Sequence, residues 1–298
     1  MEQSFSGYYK DKNLVEVLKT NDVIIVLDPL VLCNLYGFHD DTWKPILSML
    51  ADKKELLWLP YKMACTYHRG IGKTLERKIQ LLIGLKQKLR DTAESLAGLP
   101  FSSSRGQSFR DISKVISKEL TREIITIKQR GKKDTAIRTE IANLFKGRVG
   151  TSANDLDPQS FRVLTYNEIT EADGLSGKDS TMSANDDEST EKVENSNSND
   201  IILHTLIDLS KEKEKNILYV ISEPSPYWMV FIGKTFYGPN PEHQCYFEKS
   251  SNGKHLYCCT FESFMQKLSV SLGKNLSVEV KSALFKFSYG TNNQNDEW

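Results

Sequence analysis

Charge of neither sign prevails in this sequence, in which lysine plus arginine number 39 and aspartate plus glutamate also number 39. A zero balance excludes a global field that selects nucleic acid or an anionic membrane, so any such preference must come from local patches. There is no C-x-x-C pair, and the five cysteines (Cys33, Cys65, Cys245, Cys258, Cys259) have no regular spacing. That excludes a zinc ribbon or a disulfide scaffold and points to reduced thiols. No apolar run is long enough to span a bilayer, and the opening MEQSFSGYYKDKN lacks the apolar core of a signal peptide. These features indicate a cytoplasmic chain with no membrane partner. Internal repeats are lacking too. The stretch RGIGKT from Arg69 to Thr74 misses the G-x-x-x-x-G-K-[ST] spacing and falls inside a helical pattern, so it is not a phosphate loop.

What is there is an alternation of strand and helix signals over 298 residues, enough chain to bury a sizeable core. Val23 to Leu27 is a β-branched and apolar run that suits a strand buried on both faces, and it ends at Asp28-Pro29. Asp41-Thr42 caps a helix with Trp43, Ile46, Leu47 and Leu50 inward. Leu56 to Leu59 reads as a second strand closed by Pro60, and a long helix follows from Lys62 to about Leu96. After Gly98-Leu99-Pro100 a second helical block runs from about Phe109 to Phe145. From Thr151 the composition turns to Ser, Asn, Asp, Glu and Gly, and residues 171–198 read as a mobile acidic loop that cannot offset its ordering entropy. Order returns with a helix opened by Asp200, then strands at Ile217 to Ile221 and His255 to Thr260 and a helix from Phe261 to Leu272. Such alternation predicts an α/β fold with a mostly parallel sheet.

In open α/β sheets the site lies beyond the carboxyl ends of the strands. Asp28 and Ser222-Glu223 stand at two such ends, and Asp200 opens the helix that feeds the second of them. Three acids far apart in sequence can converge there to hold Mg²⁺ or Mn²⁺, since hard cations favour carboxylate oxygens. The plainer reading is a turn residue at Asp28 and an N-cap at Asp200. His204, four residues past Asp200, shares its helix face. His68 is a second isolated histidine, and such residues are more often structural than ligating. Cys258-Cys259 reads as small apolar filling of the last strand, and Tyr227 to Asn240 as core plus a turn or as an aromatic platform for bases. Between Arg105 and Arg148 cations outnumber acids. Lys128, Arg130, Lys132, Lys133 and Arg138 are either a solvated helix face or a surface that tracks phosphates.

Over nearly its whole length the chain resembles the PIN-like domain family, metal-dependent nuclease-fold proteins. FSGYY resembles the family's opening motif, VIIVLDPLVLCNLYGFHDDT its first strand, and LLWLPYKMACTYHR its second strand and helix. IANLFKGRVG resembles a mid-chain segment, NDIILHTLIDLSKEKEKNILYVISE the G-D-x-I-I-W helix with the following strand, and YGPNPE a G-P-R-P-E turn. The resemblance implies a three-layer α/β fold with a mostly parallel central sheet, here as one domain with a helical insertion near residues 98–150. It implies metal and catalytic positions at Asp28, Asp200 and Glu223. The departures fall at that site: Pro29-Leu30 replaces Thr-Asn, Thr66 replaces a helix Glu, Ser222-Glu223 stands where Asp is expected, and Asn240 replaces the Arg of the turn. Losing even a partner that only orients a ligand typically weakens a metal site by about 10- to 100-fold. Two functions are therefore expected from the resemblance. One is a degenerate nuclease fold that binds RNA, DNA or a protein partner, in a toxin or phage-defence setting. The other is a working Mg²⁺- or Mn²⁺-dependent endonuclease using Asp28, Asp200 and Glu223.

Overall fold

Val23–Leu27 is strand β1, and all five of its residues are buried. The computed structural model describes residues 14–97, 103–132, 135–150, 187–222, 224–232 and 235–289. It divides into two units, one of Met1–Asp28, Lys53–Ala64 and Gly147–Trp298, the other of Pro29–Asp52 and Cys65–Lys146.

In the first unit, helix α1 (Leu14–Thr20) leads into β1, which pairs in parallel with β2 (Asn216–Ile221). The latter pairs in parallel with β5 (Leu256–Thr260), giving the order β1-β2-β5. Two helix groups cover this sheet. Helices α9 (Phe261–Ser271), α1 and α10 (Val278–Tyr289) form one, and α7 (Asp187–Lys213) with α8 (Pro241–Ser250) forms the other. Because the strands are buried on both faces, apolar burial does not choose between registers. Polar contacts do. Asn216 donates from Nδ2 to the Asp22 carbonyl at 3.1 Å, and its Oδ1 accepts from the His255 backbone N–H at 2.9 Å. One side chain thus pins the starts of all three strands.

An antiparallel hairpin, β3 (Met229–Ile232) with β4 (Thr235–Pro239), follows β2. The second strand expected at Leu56 to Leu59 is not one. Lys54–Leu56 forms a 3-10 turn, after which Leu57 bridges to Ile25 and Leu59 to Val149. The run changes partner within three residues and ends at Pro60, which has no N–H to donate, so no ladder propagates. Helix α7 begins at Asp187, inside the stretch expected as loop, while residues 171–186 lie outside those described. Asp200 therefore sits within a helix rather than capping one.

The second unit is helical. It holds α2 (Pro29–Leu35), α3 (Asp40–Ala51), most of α4 (Tyr61–Ala97), α5 (Ser103–Arg130) and α6 (Ala136–Leu144). In α4, Met63, Tyr67, Ile71, Leu75 and Ile79 are all buried, a four-residue spacing that gives the helix its inner stripe. Lys86 Nζ donates to Thr121 Oγ1 at 2.9 Å, and a Cβ on Gly131 would stand 2.9 Å from Leu75 Cδ1, so α4 and α5 run antiparallel. The helical block from Phe109 to Phe145 is thus two helices, parted after Arg130. Among the described residues, no helix is long and apolar enough to cross a membrane.

Candidate functional site

Asp28 ends β1 and continues its ladder, its N–H donating to the Val220 carbonyl at 2.9 Å. Val26 pairs with Tyr219, and side chains two apart on a strand share a face, so Asp28 and Tyr219 lie on the same side of the sheet. The Tyr219 hydroxyl donates to Asp28 Oδ2. Tyr219 is fully buried, and burial, then the Asp28 charge, raises its pKa well above the ordinary phenol value. The proton therefore stays on the phenol, and the bond is a neutral donor on a half-buried carboxylate.

Asp200 has a matching arrangement. The Tyr227 hydroxyl donates to Asp200 Oδ1, and burial, then that bond, raises the Tyr227 pKa. Both tyrosines flank one indole: the Trp228 ring lies 4.8 Å from Tyr219 and 4.9 Å from Tyr227, edge-on to each. Such edge-on pairs contribute about 0.5–1.5 kcal/mol beyond their burial. The two retained acids are thus joined through the series Asp28, Tyr219, Trp228, Tyr227, Asp200.

The turn at Asn240 holds this series in place. Its backbone N–H donates to the Trp228 carbonyl at 2.9 Å, and its Nδ2 to the Tyr227 carbonyl at 3.0 Å. Its Oδ1 accepts from the Glu242 N–H at 3.0 Å and so caps α8, which Pro241 opens. His243 stacks on Tyr227 at 4.0 Å and bonds the Tyr227 carbonyl through Nδ1 at 2.7 Å. A carbonyl only accepts, so Nδ1 carries the proton. The sequence signals capping at Asn240-Pro241, but nothing in the spacing tells that Tyr219 and Tyr227 reach the acids.

Of the expected acid set, Asp28 and Asp200 are described and Glu223 lies outside the described residues. Thr66, half a helical turn before His68 on α4, is exposed and belongs to the other unit. Among the described residues, no three His, Cys, Asp or Glu side chains come together as a metal site requires. The described residues thus do not fit a metal site of three protein donors. They offer two carboxylates, each already accepting from a phenol.

Of the expected cation set, Lys128 and Lys132 are exposed, Arg130 and Arg138 are half-buried, and Lys133 lies outside the described residues. Arg138 faces inward enough that its charge acts on Tyr36, Tyr67 and His68. Burial, then Arg138, lowers the His68 pKa, which disfavours a cation there. His204 is exposed and meets the Tyr246 ring edge-on at 5.9 Å. Cys258 and Cys259 are buried in β5.

No curated protein and no solved structure matches the chain. A family model described as a PIN-like domain matches residues 24–243, roughly three quarters of the length, running from β1 through both acids to the helix after the Asn240 turn. The chain belongs to the PIN-like domain family.

Proposed function

We propose that the chain is a binding component built on a nuclease fold, with an acid set partly converted from metal ligation to hydrogen bonding, and that its partner is RNA or DNA. Divalent metals are typical of PIN-like domains. What supports conversion here is that both retained acids, Asp28 and Asp200, accept from tyrosine hydroxyls. A phenol takes up one lone-pair direction of the carboxylate and stabilises its charge without a metal. The residues at the other family positions act in the same direction, since Leu30 and Thr66 carry no carboxylate or amide. The fold's cationic helices supply the means of holding a phosphate backbone. A toxin or phage-defence setting, one in which family members act, suits a component that holds nucleic acid without cutting it.

The test is calorimetry with Mg²⁺ and with Mn²⁺ on wild type and Asp28→Asn, with binding and cleavage of single-stranded RNA and DNA followed in the same samples. Asparagine keeps an oxygen for Tyr219 but loses the charge. The expected result is nucleic-acid binding unchanged by Asp28→Asn and no cleavage by either protein. Metal binding and cleavage that both vanish in Asp28→Asn would instead establish a metal-dependent endonuclease.

A further inference from the structure

The turn between α2 and α3 meets α4 and α5 in an arrangement that the acid site does not use. Lys78, from α4, crosses this turn at Gly37 so closely that a Cβ there would stand 1.5 Å from its Nζ. The ammonium lies 5.8 Å over the Phe38 ring and has no hydrogen-bond acceptor among the described residues. From α5, Arg130 points one nitrogen, Nη2, at His39 Nδ1 at 3.5 Å. A guanidinium cannot accept, so His39 Nδ1 carries the lone pair and Nε2 the proton, facing Glu123 Oε2 at 3.7 Å. The other nitrogen, Arg130 Nη1, is buried and finds no partner among the described residues.

Among the described residues, two cations therefore meet in the second unit with the Glu123 carboxylate set against them. Asp40 feels the Arg130 charge, but its oxygens are engaged by Lys44 Nζ and Trp43 Nε1, each at 3.0 Å. Burial, then Arg130, pushes the Lys78 pKa down, and Glu123 only partly opposes this. A buried guanidinium nitrogen without an acceptor and a desolvated ammonium both weaken the folded state. An anion placed between them would relieve both costs.

We propose that Gly37, His39, Lys78 and Arg130 form a seat for a phosphoryl group and, given the nucleic-acid reading above on which this rests, for a backbone phosphodiester. The donor chemistry favours phosphoryl. A guanidinium edge with free N–H groups matches a phosphate's oxygens, and a lysine ammonium adds a point charge that needs no fixed geometry. Lys128 and Lys132 are exposed at the same end of α5 and extend the positive field along a strand's path. Gly37 is what lets the ammonium in. Its backbone does not occupy the left-handed region, so alanine is conformationally acceptable there and acts only by driving the lysine tip away.

The experiment uses the full chain with three variants, Lys78→Met, Arg130→Gln and Gly37→Ala, each first checked for a native circular-dichroism spectrum. The probes are a short single-stranded RNA and its DNA counterpart by fluorescence anisotropy at several salt concentrations, and inorganic phosphate by calorimetry. Each variant should weaken oligonucleotide binding about tenfold, and the two charge-removing ones should lower the salt slope by about one contact. Phosphate binding by wild type should disappear in all three. Should wild type bind no oligonucleotide yet hold phosphate in a Lys78-dependent way, the seat stands for a small phosphorylated ligand and the nucleic-acid reading falls. Folded variants that bind both probes like wild type overturn the seat, as does wild type that binds neither. A glutamate-rich peptide bound more tightly than phosphate would assign the cations to a protein carboxylate, and so also overturn it.

Discussion

Asp28, just past the end of β1, lies two register positions beyond Tyr219 of β2 and on the same face of the sheet, and the Tyr219 phenol donates to its carboxylate. Tyr219 is fully buried, so removing its acceptor leaves a hydroxyl with no water to turn to. Leaving such a donor unpaired costs about 1–3 kcal/mol. Asp28→Ala should therefore lower stability by about that amount, whereas Asp28→Asn, which keeps an acceptor oxygen, should cost clearly less. Urea denaturation checks this, and equal midpoints for wild type and Asp28→Ala would sink the account of Asp28 as the partner Tyr219 depends on.

Asp200 should behave otherwise, although its bond looks alike. It is exposed on α7, and Tyr227 is only half-buried, so water can replace either partner. Asp200→Ala should change stability by no more than about 0.5 kcal/mol. If Asp200→Ala proves as damaging as Asp28→Ala in the same denaturation series, the Tyr227 end of the aromatic series is better shielded than its exposure implies.

How much of this could be read beforehand depended on whether the signal was local. The β1 and β2 runs were legible because two-faced burial leaves an unbroken apolar stretch, as in Val23–Leu27. Leu56 to Leu59 carried the same signal without forming a strand, since its pairing switches from Ile25 to Val149 and no window of sequence contains that switch. Helix α8 was signalled by Asn240-Pro241 and could have been found from the cap. The tyrosine partners were not legible, because a strand tyrosine reads as core. Tyr219 reaches Asp28 only through a register set some 190 residues away in sequence, as their hydrogen bond records.

The five thiols should separate by reactivity. Cys65 and Cys245 are half-buried, while Cys33, Cys258 and Cys259 are buried, and Cys33 Sγ donates to the Tyr67 carbonyl at 3.5 Å. The thiolate is the reacting form, and access limits it further. An aromatic disulfide reagent under native conditions should label Cys65 and Cys245 first, with the other three reached only after unfolding. Peptide mass spectrometry reads the order directly, and early labelling of Cys258 or Cys259 would show that β5 opens.

The same burial predicts an alkaline limit to stability. Burial raises the Cys259 thiol from its ordinary 9.0 to about 12, and it raises Cys258 and Tyr219 as well, with the Asp28 charge adding to both. For each group the folded pKa lies above the unfolded one, so the unfolded chain loses its proton first as pH rises. Above the unfolded value the unfolded state binds fewer protons than the folded state, and linkage then makes stability fall with pH. The contribution is fully present below the ordinary thiol value of 9.0 and is lost as pH climbs toward about 12. Denaturation midpoints should thus be level with respect to these groups from about pH 7 to about pH 9 and decline beyond. Cys259→Ala should flatten the first part of that decline, and Tyr219→Phe the part above the ordinary tyrosine value of 10.0. If both variants follow the wild-type curve, alkaline unfolding begins elsewhere, and the sheet is not where the protons are held.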